Sequence, residues 1–140
     1  MSYREKTAWI MIAALIFGGF LYFGTVADNS RSIWQLAEPT LPLIVGYTVV
    51  LVVIAVVGHI VTAILSPKDA NAPADERDKR IIDKAGHWSG YVLGFGVVMS
   101  LGAYLILHNG SLLFYGVFAS LMLSQIMEYV IQLLLYRTRV

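Results

Sequence analysis

Cysteine is absent from the 140 residues, which excludes disulfides, thiolate metal centres and thiol catalysis. Charge is scarce as well. Only 14% of the residues are Asp, Glu, Lys or Arg, against roughly a quarter in soluble domains. The net charge of +1 leaves no electrostatic footprint for nucleic acid, and none is expected as a partner. No stretch between the apolar runs is long enough to build a core of its own, so there is no room for a soluble domain. Hydrolase nucleophile motifs, a phosphate-binding loop and a zinc-protease helix are all missing, and no enzymatic function is expected.

What fills the chain is hydrophobic residues, 58% of the total, with a mean hydropathy of +0.71. Four apolar spans can be drawn, at residues 7–26, 41–65, 86–107 and 111–136. Each reaches the roughly 20 residues needed to cross about 30 Å of hydrocarbon. The first run is longer than the apolar core of a signal peptide and reads as a span. The second and fourth are long enough to tilt. The expected fold is an all-α, polytopic bundle of four transmembrane helices, one domain over residues 1–140, with lipid as its surroundings.

Orientation follows from the basic residues. Arg4 and Lys6 precede the first span. Lys68, Arg77, Lys79, Arg80 and Lys84 lie in the loop at 66–85, and Arg137 and Arg139 follow the last span. Only Arg31 falls on the other side, so both termini are expected in the cytoplasm. The compact loops and absent cysteine fit a bacterial inner membrane.

The loops carry their own signals. Residues 28–40 suit either a short interfacial helix or a plain connector, in both cases anchored by Trp34. Residues 66–73 are rich in turn formers. From Asp75 the pattern becomes helical, with Asp75 and Glu76 at the positive end of a helix that runs unbroken into the third span. His108-Asn109-Gly110 is a short link in which the glycine suits a left-handed helix end, making spans three and four antiparallel neighbours.

Glu128 is the single acidic residue inside an apolar span. A carboxylate in hydrocarbon costs several kcal/mol and usually marks a site, an ion pathway or a buried partner. Ser120, Ser124, Glu128 and Gln132 recur every four residues, with Gln125 three before Glu128. The stripe reads as a polar pathway or ligand pocket, or as hydrogen-bonding glue between helices. His59 stands nine residues before Lys68, as Glu128 stands nine before Arg137. That places both about 13 Å deep, where they could pair and exchange a proton, or satisfy themselves separately. Glu128, His59, Gln125, Gln132 and Ser124 are therefore the candidate ligand or proton site. Gly58 beside His59 permits close helix approach.

Gly86, Gly90 and Gly94 form a ridge for helix packing, seating either another span of the chain or a second subunit, while Gly96 and Ser100 give a second small face. A homo-oligomer is expected. Asp83 and His87, one turn apart, could bind a divalent cation only with a third ligand and read rather as a surface ion pair, and His59 and His87 differ in depth and lack a haem attachment motif. No metal and no cofactor is expected. Tyr47, Tyr91, Tyr104 and Tyr129 need hydroxyl partners and could line a pocket with Glu128.

Asp75-Glu76-Arg77-Asp78, then Ile81 and the glycine-rich third span, resembles a group of small four-span bacterial inner-membrane proteins of uncharacterised function. The opening Tyr3-Arg4-Glu5-Lys6-Thr7-Ala8-Trp9 and the ending Glu128-Tyr129, Gln132 and Tyr136-Arg137 share in the resemblance. Members are often encoded beside a small helix-turn-helix regulator. The resemblance implies, by analogy, a membrane sensor or a protein that sequesters a cytoplasmic regulator. Glu76, Arg77, Asp78 and Arg80 are the expected contact for such a partner, their alternating signs suiting an ionic interface. Two functions stand open: a binding or sensory protein with a midplane polar site, and a proton-coupled transporter of a small molecule or ion that uses Glu128.

Overall fold

The computed structural model describes residues 3–67 and 75–138. Most of the turn-rich segment, with Lys68, and also Arg139 lie outside the described residues. Four helices make up the fold: α1 (Tyr3–Ile33), α2 (Leu41–Leu65), α3 (Glu76–Leu107) and α4 (Gly110–Arg137). There is no strand among the described residues. All four are long and apolar enough to cross a membrane. Phe20, Phe95 and Ile106 stand 77%, 70% and 79% exposed among many similar side chains. A surface of that kind has lipid as its solvent. The chain is a multi-pass integral membrane protein with an all-α four-helix fold.

The helices stand in a row. The extensive contacts run from α3 to α4, α4 to α1, and α1 to α2, so α2 and α3 occupy the two edges. Lipid tails are as apolar as leucine, so close backbone approach and van der Waals contact hold such helices together. On the α3–α4 seam a Cβ added at Gly96 would run into the Ser120 side chain, and one added at Gly116 would lie 2.5 Å from Ser100 Oγ. Each serine hydroxyl donates to the glycine carbonyl four residues back on its own helix, Ser100 to Gly96 at 2.8 Å and Ser120 to Gly116 at 2.7 Å. No donor is left for the lipid, and each hydroxymethyl fills the notch of the opposite glycine.

The ridge of Gly86, Gly90 and Gly94 seats no other span of this chain. A Cβ at any of the three would meet nothing within 4 Å. The packed face of α3 carries Ile81, Ala85, Ser89 and Ser100. Gly86 and Gly90 each follow a buried residue by one position, which turns them about 100° away around the helix.

Elsewhere the expected close approach is found. Gly58 of α2 lies against Ile10 of α1. A Cβ at Gly18 would come within 3.0 Å of the Tyr47 ring, and one at Gly19 within 2.6 Å of Met122 Cε. Toward the α1–α2 link Tyr22, Tyr115 and Val26 are buried, with Phe23, Phe114, Phe118 and Tyr47 packed around them. The Tyr22 ring lies 4.6 Å from Phe118 and 5.7 Å from Tyr47, in tilted and edge-on geometries that suit aromatic quadrupoles. Ala8, Ile12 and Leu133 form a smaller cluster toward the start of α1 and the end of α4.

The helix ends differ from expectation in two places. α1 continues to Ile33, about two turns past the apolar span, so residues 28–33 extend α1 rather than form a separate interfacial helix. Trp34, 93% exposed and left-handed at φ 54°, ends it. Ser30 stitches the turn: its hydroxyl donates to the Val26 carbonyl at 2.7 Å and accepts from the Ala37 amide at 2.9 Å. At the α3–α4 link the left-handed residue is His108 (φ 51°), and Gly110 opens α4 instead. Asn109 then caps α4 by accepting from the Leu112 amide at 3.0 Å.

Candidate functional site

The Asp75-Glu76-Arg77-Asp78 run starts α3. Asp75 accepts from the Asp78 amide at 2.6 Å, and Asp78 accepts from the Asp75 amide at 3.3 Å, a reciprocal capping box. Asp78 reaches further. Its Oδ2 receives Arg4 Nε at 2.9 Å and its Oδ1 receives the Tyr136 hydroxyl at 2.9 Å. One carboxylate thus joins the starts of α1 and α3 to the end of α4. Arg77 adds a long hydrogen bond to the Tyr136 carbonyl at 3.5 Å. Lys6 donates to Ser66 at 2.7 Å, tying the end of α2 to the same end of the row.

Above this knot lies a cavity of about 230 Å³. Tyr3, Arg4, His59, Tyr129, Gln132 and Tyr136 are among its lining. From Tyr136 to Tyr129 is seven residues, so the cavity extends about 10 Å along α4. His59 enters from α2. Its Nδ1 lies 2.6 Å from the Ala55 carbonyl; a carbonyl can only accept, so Nδ1 is the donor of that bond. Gln132 donates through Nε2 to Glu128 Oε1 at 3.3 Å, leaving its own carbonyl oxygen as an acceptor.

The polar stripe of α4 therefore divides. Glu128 and Gln132 stay together as a pair, with Gln132 on the cavity wall. Ser124 is buried and donates to the Leu121 carbonyl of its own helix at 2.9 Å, so its hydroxyl bonds within α4 and not between helices. Gln125 is exposed and turned away from the cavity wall. Among the described residues no hydrogen bond or ion pair joins His59 to Glu128. The shared depth instead brings His59 to the cavity that Gln132 and Tyr129 line. Of the four tyrosines considered, Tyr129 lines this cavity, Tyr47 belongs to the aromatic cluster, and Tyr91 and Tyr104 are exposed.

The residues expected to meet a cytoplasmic partner also divide. Asp78 is partly buried and spent on internal contacts. Glu76, Arg77 and Arg80 are exposed, Glu76 pairing with Lys79 at 3.0 Å. Arg4 and Tyr136 were legible as an orientation signal and an interface aromatic; their role as partners of Asp78 was not. A usable clue was that a Tyr hydroxyl, an Arg and an Asp were all due at one membrane surface. No group of three or more metal-ligating side chains occurs among the described residues.

No family model, curated protein or solved structure matches this chain.

Proposed function

We propose that this protein is a small binding or sensory protein of a bacterial inner membrane, whose cavity in the cytoplasmic leaflet takes a proton or a small cationic or polar molecule. The observation that carries the reading is the cavity itself. It brings His59 and Gln132 into one lining, with Gln132 bonded to Glu128. A cationic guest there would have a carboxylate one turn deeper. The cavity shares Arg4 and Tyr136 with the Asp78 knot. Occupancy would thereby shift the start of α3, whose exposed Glu76 and neighbours face a cytoplasmic regulatory protein. The resemblance to small four-span bacterial proteins supports this assignment.

Proton-coupled transport is the second reading, carried by the Glu128–Gln132 pair. It needs a polar route to the outer face. There Tyr22, Tyr47, Tyr115 and Phe118 pack ring on ring, and Ser120 and Ser124 bond their own backbone. Proton flux in liposomes separates the two. The sensory reading predicts no flux above empty vesicles for wild type or Glu128→Gln. Flux that is present in wild type and lost in Glu128→Gln would replace it with transport.

A further inference from the structure

We propose that the cytoplasmic end of α3 holds an anionic phospholipid, with Arg77, Arg80 and Lys84 on its phosphate and Ile81 and Leu135 under its acyl chain. These five residues and Glu76 line a groove of about 390 Å³ between α3 and α4. The three cations stand at i, i+3 and i+7, on one helix face. Glu76 is already paired with Lys79. Arg80 and Lys84 have no ion-pair partner among the described residues, and Arg77 has only the long contact to the Tyr136 carbonyl. The groove is thus an excess of positive charge over an apolar floor.

Depth identifies the occupant. The same face continues with Trp88, Tyr91 and Phe95, which are 54%, 61% and 70% exposed. Trp and Tyr settle at headgroup level and Phe below it. Lys84 lies one turn outward of Trp88, which puts the basic triad at the phosphate plane of the cytoplasmic leaflet. A soluble acidic protein could reach the charges but would leave the Ile81–Leu135 floor to lipid. A phospholipid satisfies both at once, and basic pockets between helices at this depth suit anionic headgroups. The groove shares no lining residue with the His59–Gln132 cavity.

The test uses the full chain with Trp9→Phe and Trp34→Phe, both exposed positions, leaving Trp88 as the reporter. The protein is placed in phosphatidylcholine vesicles carrying equal small fractions of brominated phosphatidylglycerol or brominated phosphatidylcholine. The anionic phosphatidylglycerol should quench Trp88 more strongly, and rising salt should erase the difference. The preference should fall roughly five-fold for each of Arg77→Gln, Arg80→Gln and Lys84→Gln. Arg80→Lys and Lys84→Arg should keep it, which guards against misfolding of the neutral variants. Equal quenching by the two lipids overturns the proposal, as does a preference that survives the triple neutral variant. Full displacement by soluble glycerol phosphate would reassign the groove to a free phosphate. Full displacement by poly-glutamate would reassign it to an acidic protein, and either result removes the lipid.

Discussion

Asp78 is the residue on which most of the cytoplasmic end depends. It accepts from Arg4, from Tyr136 and from the Asp75 amide, so its loss strands a guanidinium and a hydroxyl together. Asp78→Ala is expected to destabilise the protein by about 2–3 kcal/mol, the cost of charged hydrogen bonds and a cap. Tyr136→Phe should cost about 1 kcal/mol, since it removes one donor and leaves Arg4 in place. SDS-induced unfolding in detergent micelles measures both. The Arg4 and Asp78 side chains are only 32% and 19% exposed, so an Arg4→Ala/Asp78→Ala double-mutant cycle should return a coupling of about 1 kcal/mol rather than the near-zero value of a solvated pair. The sequence made part of this plain. Asp75 and Glu76 announced a helix start because carboxylates favour that end of the dipole. What it hid was the third function of Asp78, because an ion pair between residues 4 and 78 depends on how α1 and α3 stand around α4. Glu128 followed the same rule. Its oddity was visible at once, and its i+4 partner Gln132 lay within one helix, whereas the cavity with His59 required the packing of α2 on α1.

At the scale of the helices, two small-residue lines on α3 look alike in sequence and behave oppositely in the fold. Gly96 and Ser100 meet Gly116 and Ser120 of α4, while Gly86, Gly90 and Gly94 face outward. Spacing alone cannot distinguish them, since both read small-xxx-small. The choice falls to the partner helix: α4 offers the matching Gly116–Ser120 notch in antiparallel register, and nothing among the described residues lies within 4 Å of a Cβ at Gly90. Gly96→Ala and Gly116→Ala are therefore expected to force α3 and α4 apart and cost roughly 1–3 kcal/mol. Gly90→Ala should leave the unfolding of the monomer unchanged or raise its stability by up to about 1 kcal/mol, because alanine is the better helix former. The same SDS titration ranks the three. Were Gly90→Ala as costly as Gly96→Ala, the ridge would have a partner that the single chain lacks, and analytical ultracentrifugation in detergent would then reveal weakened self-association.

For the whole molecule, architecture rests on the packing of the helices and orientation on the distribution of the basic residues. Nine of ten basic residues were assigned to one side from their loops alone. The structure brings Arg4 to Asp78, Asp78 to Tyr136 and Lys6 to Ser66, so all four helices present their predicted cytoplasmic ends together. The opposite end carries only Arg31, 3.9 Å from Asp28. Turning the molecule over would place the Arg77, Arg80 and Lys84 face outside, away from the anionic inner leaflet, and force translocation of the most basic loop. Because the chain has no cysteine, one introduced thiol reports its own side without ambiguity. Ser32→Cys and Glu76→Cys replace exposed side chains at opposite ends. A membrane-impermeant maleimide added to intact cells should label Ser32→Cys and leave Glu76→Cys untouched until the membrane is opened. The reverse pattern would invert the assignment and move both the cavity and the basic groove to the outer leaflet. Labelling of both thiols in intact cells would mean a mixed orientation, which a nine-to-one charge bias should not permit.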